Sequence, residues 1–178
     1  QEACPLNLAP TASTTVALAL GDALAVVLLE ARGFRSEDFA LSHPGGSLGR
    51  RLLVHVRDLM HADERLPQVS ETAPLKEALL EMSRKGLGMT AVVTGDGVLV
   101  GVVTDGDLRR ALDRDVDVRT VGVAQVMTRN PATIEAGRLA AEAAQIMEAR
   151  RINGLLVTDG GRLVGALNMH DLMRARVV

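Results

Sequence analysis

The chain repeats itself. Val56-Arg57-Asp58-Leu59-Met60 is answered by Val123-Ala124-Gln125-Val126-Met127, and Gly101-Val102-Val103-Thr104-Asp105-Gly106-Asp107-Leu108 by Gly165-Ala166-Leu167-Asn168-Met169-His170-Asp171-Leu172, at offsets of 67 and 64 residues. A repeat this short buries its apolar face against a neighbouring copy. The two copies are therefore expected to pair about a pseudo-twofold axis.

Within each copy the order of elements is the same. Leu75, Ala78, Leu79 and Met82 share one face of a helix, as do Leu139, Ala143, Ile146 and Met147. Each helix precedes two β-branched runs joined by a Gly/Asp turn, at Asp96-Gly97 and Asp159-Gly160-Gly161, which read as antiparallel hairpins. A second helix is expected from near Asp105 and from near Met169. The unit is thus α-β-β-α, with a short extended segment at Val69 or Ile134, and Asp113 to Gly122 is the connector.

Residues 1–53 lie outside the repeat. Thr11, Ser13 and Thr14 offer N-cap side chains to a long apolar helix, and Gly33 is placed as its stop. That helix is apolar almost all the way round and needs cover on more than one side. The segment is expected to be the tail of a domain that begins upstream, or to be covered by another chain.

Composition narrows the function classes. With 47% hydrophobic and 24% charged residues and a formal charge of −2, the chain carries no basic footprint for a phosphate backbone. Two Phe and no Tyr or Trp leave no base-stacking platform, so no nucleic-acid partner is expected. Cys4 stands alone and can form neither an internal disulfide nor a multi-thiolate zinc site, which suits a cytoplasmic protein. The longest apolar stretch, Val16 to Leu29, is 14 residues interrupted by Gly21 and Asp22, against the roughly 20 needed to cross a bilayer, so no membrane partner is expected.

Thr104-x-x-Asp107 falls where a strand hands over to a helix, and Asn168-x-x-Asp171 occupies the same place in the second copy. One reading is a capping box, in which the hydroxyl and carboxylate accept from free helix N–H groups. The other is an anion site, where those N–H groups hold a phosphate and the Asp takes a ribose hydroxyl pair. Gly101 and Gly106 would keep the approach open. Arg109 and Arg110 could reach a phosphate or simply form a solvated helix face. His55, His61 and His170 show no metal-ligand spacing. Met82, Met89, Met147 and Met173 read as core filler.

The tandem α-β-β-α unit with Gly-x-x-Thr-x-x-Asp closing its hairpin resembles a pair of CBS domains over residues 54–114 and 121–178. The resemblance implies nucleotide clefts, with Thr104 and Asp107 serving one and Asn168 and Asp171 the other, and a regulatory nucleotide or nucleotide sugar as ligand. The second copy departs from the pattern in having Asn168 for the hydroxyl.

The upstream motifs Glu2-Ala3-Cys4-Pro5-Leu6, Ala9-Pro10-Thr11-Ala12-Ser13-Thr14-Thr15, Gly21-Asp22-Ala23-Leu24-Ala25 and Ser42-His43-Pro44-Gly45-Gly46 resemble the sugar isomerase (SIS) domain of D-arabinose 5-phosphate isomerases, in which a CBS pair follows directly. That family interconverts D-ribulose 5-phosphate and D-arabinose 5-phosphate, supplying 3-deoxy-D-manno-octulosonate for lipopolysaccharide. The resemblance implies a sugar-phosphate substrate, no required cofactor or metal, Glu2 as a catalytic acid/base, and His43 as the active-site histidine. The fold expected is therefore α/β (α+β), a tandem CBS pair preceded by the last helix and loop of a truncated SIS domain at residues 1–53. The family's phosphate loop is not in this sequence, so the chain alone is expected to be inactive; the all-round apolar helix, and the dimerisation that a CBS pair implies, lead to an expected homo-oligomer, dimer or tetramer. The alternative is a stand-alone nucleotide-binding module.

Overall fold

The computed structural model describes residues 1–42 and 46–178. Helix α1, Ala12–Ala31, is followed by the short helices α2, Ser36–Ser42, and α3, Ser47–Leu53. Gly33 ends α1 as expected: at φ +61° it lets its own amide reach the Glu30 carbonyl at 3.0 Å and the Phe34 amide reach Leu29 at 3.0 Å. The start of α1 differs from expectation. Ser13 and Thr14 do not cap it; Glu2 does, accepting from the amides of Thr11 at 2.6 Å and Ser13 at 3.3 Å. Thr14 instead bonds back to the Thr11 carbonyl.

No residue of α1 is buried, and Val16 and Leu18 are about two-thirds exposed. α1 runs uninterrupted through Gly21 and Asp22 for 20 residues and is long and apolar enough to cross a membrane by length and composition.

The first repeat comprises α4, Val56–Leu59, β1, Gln68–Ser70, α5, Leu75–Lys85, β2, Met89–Val93, β3, Leu99–Thr104, and α6, Asp105–Asp113. The second comprises α7, Val123–Val126, β4, Thr128–Arg129, β5, Thr133–Glu135, α8, Ala140–Arg150, β6, Gly154–Asp159, β7, Arg162–Asn168, and α9, Met169–Arg174. The expected hairpins are β2–β3 and β6–β7, both antiparallel, and the extended segments at Val69 and Ile134 are β1 and β5, each parallel to the first strand of its hairpin. Leu75, Ala78 and Met82 are buried on α5, and Ala143 and Met147 on α8. Met173 departs from the core role expected of it and is 57% exposed, because α9 turns that face to solvent.

The repeats exchange their leading segments. β4 belongs to the second copy by sequence but pairs with β3 of the first, Gly101 opposite Arg129 and Val102 opposite Thr128. In mirror fashion His61 bridges Ala166 on β7, with amide-to-carbonyl bonds of 2.7 and 3.0 Å. Val56 and Arg57 donate to the carbonyls of Arg138 and Ala136, whereas Val123 donates to Ala73 and Leu75 to Val121. The cores follow: Val56 packs with Ile134, Leu155 and Leu167, while Val121, Val123 and Met127 pack with Val69, Leu75 and Val103. A third cluster, including Met89, Ala91, Val102, Leu156 and Ala166, joins the two sheets.

Two glycines make the exchange sterically feasible. A Cβ on Gly101 would lie 2.5 Å from Met127 Sδ and 3.1 Å from the Thr128 carbonyl oxygen; one on Gly165 would lie 2.7 Å from Met60 Sδ and 3.2 Å from the His61 carbonyl oxygen. Gly101 therefore does not keep a ligand approach open, as expected from sequence. It receives the methionine of the other repeat.

Candidate functional site

The two hairpins deliver Thr104 and Asn168 to the starts of α6 and α9, and both junctions are closed capping boxes. Thr104 donates to Asp107 Oδ2 from its amide at 2.9 Å and from its hydroxyl at 2.6 Å. Asp107 Oδ1 accepts from Thr128 Oγ1 at 2.6 Å and from Arg110 Nη2 at 2.5 Å. A carboxylate offers about four lone-pair sites. Asp107 has four such contacts and is only 3% exposed. Burial pushes its pKa up, but the hydrogen bonds from Thr104, Thr128 and Arg110 outweigh it and hold the carboxyl below its ordinary value. A ribose hydroxyl can reach it only by displacing a present donor, and Arg110, 57% exposed, is the one free to swing away.

At the second junction Asn168 donates its amide to Asp171 Oδ2 at 2.9 Å, and the Asp171 amide returns to Asn168 Oδ1 at 3.2 Å. His61 Nε2 lies 3.0 Å from Asp171 Oδ1. His61 thus takes the place that Thr128 takes in the first copy. Neither residue was singled out from sequence for this role, although the aligned pairs Met60-His61 and Met127-Thr128 carried the signal.

Both junctions open toward one cleft of about 1020 Å³ between the repeats. Thr104, Asp107 and Asn168 line it, together with Thr128, His170 and Gly106; Asp171 does not. The sequence reading missed the Arg150, Arg151 and Asn153 wall, which enters from the end of α8. Among the described residues Arg109, Arg150 and Arg151 make no ion pair, so the cleft holds three unpaired cations alongside the carboxylates of Asp105 and Asp107. No group of three His, Cys, Asp or Glu side chains suited to a metal ion occurs among the described residues.

Glu2 lies apart from this cleft, at the start of α1. Hydrogen bonds from Ser13 and Thr11 pull its pKa from 4.5 down to about 2, so it is ionised at neutral pH. His43 lies outside the described residues.

The family model for the CBS domain matches residues 54–114 and 123–178. Over its whole length the chain is 64% identical to the arabinose 5-phosphate isomerase KdsD of Pseudomonas aeruginosa, covering 55% of that protein, and 55% identical to the KdsD of Escherichia coli strain K12, covering 54%. The chain therefore spans about half the length of the curated relatives it matches. Among solved structures, CBSX2 in complex with AMP is 26% identical with a TM-score of 0.58, over 68% of this chain and 95% of that one. With two matched copies, exchanged leading segments and a shared cleft, the chain belongs to the CBS domain family.

Proposed function

We propose that the chain is the C-terminal portion of an aldose–ketose isomerase that interconverts D-ribulose 5-phosphate and D-arabinose 5-phosphate in the cytoplasm, with its CBS pair as a nucleotide-sensing module. The observation that carries this reading is the 64% identity to an arabinose 5-phosphate isomerase, maintained over the entire chain rather than the CBS pair alone. Residues 1–53 are then the end of the sugar isomerase domain, and α1 is covered by the rest of that domain or by a second subunit.

Isomerisation moves a proton between C1 and C2 through an enediol and needs groups that exchange protons and steady the oxyanion. The resemblance gives Glu2 the acid/base role, for which its carboxylate must first give up the Thr11 and Ser13 donors that hold its pKa down; His43 supplies a group able to gain and lose a proton near neutrality. The test is turnover of ribulose 5-phosphate by a protein in which this chain is preceded by the segment its relatives carry. Glu2→Gln and His43→Ala should each lower kcat about 10²-fold or more. Wild-type rates in both variants overturn the assignments, and turnover by the 178-residue chain alone overturns the division of labour.

A purely regulatory, non-catalytic module is the second reading, favoured by the cationic cleft and by the likeness to a CBS protein solved with AMP. In both readings Thr104 and Asn168 present helix starts to the nucleotide, while Asp107 and Asp171 hold those starts in place and Asp107 meets the ribose once Arg110 yields. Thermal melting with AMP tests this shared part. About 100 Kd of ligand adds roughly 2.7 kcal/mol, and an unmoved curve at millimolar AMP defeats it.

A further inference from the structure

We propose that Arg151 holds the phosphoryl group of the nucleotide in the cleft, and that each chain binds one nucleotide rather than the two its internal symmetry would allow. The inference rests on the nucleotide-sensing reading above and adds the position of the anion and the stoichiometry.

Aligning the repeats at the ends of α5 and α8 sets Lys85 against Arg150, Gly86 against Arg151 and Gly88 against Asn153. In the first copy the helix ends conventionally: Gly86 adopts φ +70° and its amide bonds to the Met82 carbonyl at 2.9 Å. Glycine suits this left-handed position because it has no Cβ. In the second copy Arg151 is held in the same region, at φ +53°, with its amide on the Glu148 carbonyl at 3.1 Å. Helix termination would be better served by glycine. What arginine adds is a cationic side chain among the residues that line the cleft, next to Arg150 and on the same cleft as Arg109 of the other repeat, with no ion pair among the described residues. Arg150 is already suited to the C-terminal end of the helix dipole. Arg151 can complement the same dipole, but the left-handed backbone it adopts there is one that glycine fills without strain.

The twofold-related position lines the same cleft but brings no free cation from its helix end. There Gly86 brings no charge, and Lys85, the counterpart of Arg150, turns inward so that its ammonium donates to the Glu64 carbonyl and lies 3.8 Å from Glu81 Oε1. The segment carrying Glu64 does not line the cleft, whereas its counterpart, Thr128 to Ala132, does. The two copies thus share a fold and differ in whether the cation after the first helix faces the ligand space or the protein.

Calorimetric titration of the chain with AMP and with adenosine, for wild type and Arg151→Gly, separates these possibilities. AMP should bind wild type with a stoichiometry near one and more tightly than adenosine. Arg151→Gly should weaken AMP about tenfold or more, leave adenosine unchanged and melt no lower than wild type, since glycine fits the backbone. A stoichiometry of two, or AMP affinity unaltered in Arg151→Gly, overturns this inference alone. Failure of both AMP and adenosine to bind overturns the nucleotide reading and this inference with it.

Discussion

Thr128 Oγ1 donates to Asp107 Oδ1 at 2.6 Å across the boundary between the repeats, and so ties the start of α6 to a segment contributed by the other copy. The same carboxylate closes its own capping box, so one buried side chain links helix nucleation to assembly of the pair. His61 and Asp171 repeat the arrangement at 3.0 Å. The starts of α6 and α9 are thus each tied to a leading segment contributed by the other copy, and the one carrying Thr128 also lines the cleft.

Loss of Asp107 should cost more than a lost helix cap, which is worth about 1 kcal/mol. Asp107→Ala empties a buried position and takes the acceptor from the half-buried Thr104 amide and from the exposed Thr128 hydroxyl, so we expect about 2 kcal/mol from urea unfolding. A loss under 1 kcal/mol would mean that water replaces the carboxylate at no cost.

His61→Thr should be tolerated within about 1 kcal/mol, because threonine performs the equivalent task at position 128 and retains an hydroxyl for Asp171. His61→Leu removes the donor, and a loss of about 1–2 kcal/mol is expected. Equal melting points for the two variants would show that the His61–Asp171 contact contributes nothing.

Gly101→Ala should destabilise by about 1–3 kcal/mol through overpacking against Met127 and the Thr128 carbonyl. Met127→Ala in the same chain should relieve part of that loss, since the shortest contact is to the flexible sulfur. Strictly additive effects in a double-mutant cycle would count against direct packing between the two positions.

The anchoring of α1 should depend on pH in the acid range only. Because the folded-state pKa of Glu2 lies below its ordinary 4.5, the contact stabilises fully above that value and is lost as pH falls toward about 2. Amide resonances of Thr11 and Ser13 should titrate with a midpoint near 2. A midpoint near 4.5 would show that the carboxylate does not cap the helix.

The uncovered apolar length of α1 exceeds what a monomer ordinarily leaves in water. At micromolar concentration the chain should sediment as a species heavier than its 18.8 kDa. A monomer would require α1 to fold back onto the CBS pair.

Much of this architecture was legible in the sequence, and for local reasons. The hairpins follow from β-branched runs around Gly/Asp turns, α5 and α8 from apolar spacing, and both capping boxes from residue types three apart, all of which depend only on near neighbours in the chain. Gly33 likewise stops α1 by a backbone preference that needs no tertiary context.

The tertiary structure alone decided which repeat each leading segment joins, because Met60 and Met127 find their glycine holes 105 and 26 residues away on the chain, at Gly165 and Gly101. It also decided that Asp107 is saturated before any ligand arrives, that Glu2 rather than Ser13 or Thr14 caps α1, and that Arg151 faces the cleft while Lys85 turns to Glu64. Residue type and spacing give a side chain its reach and charge; which partner it meets is set by how the two copies pack, since long-range contacts leave no periodic trace in sequence.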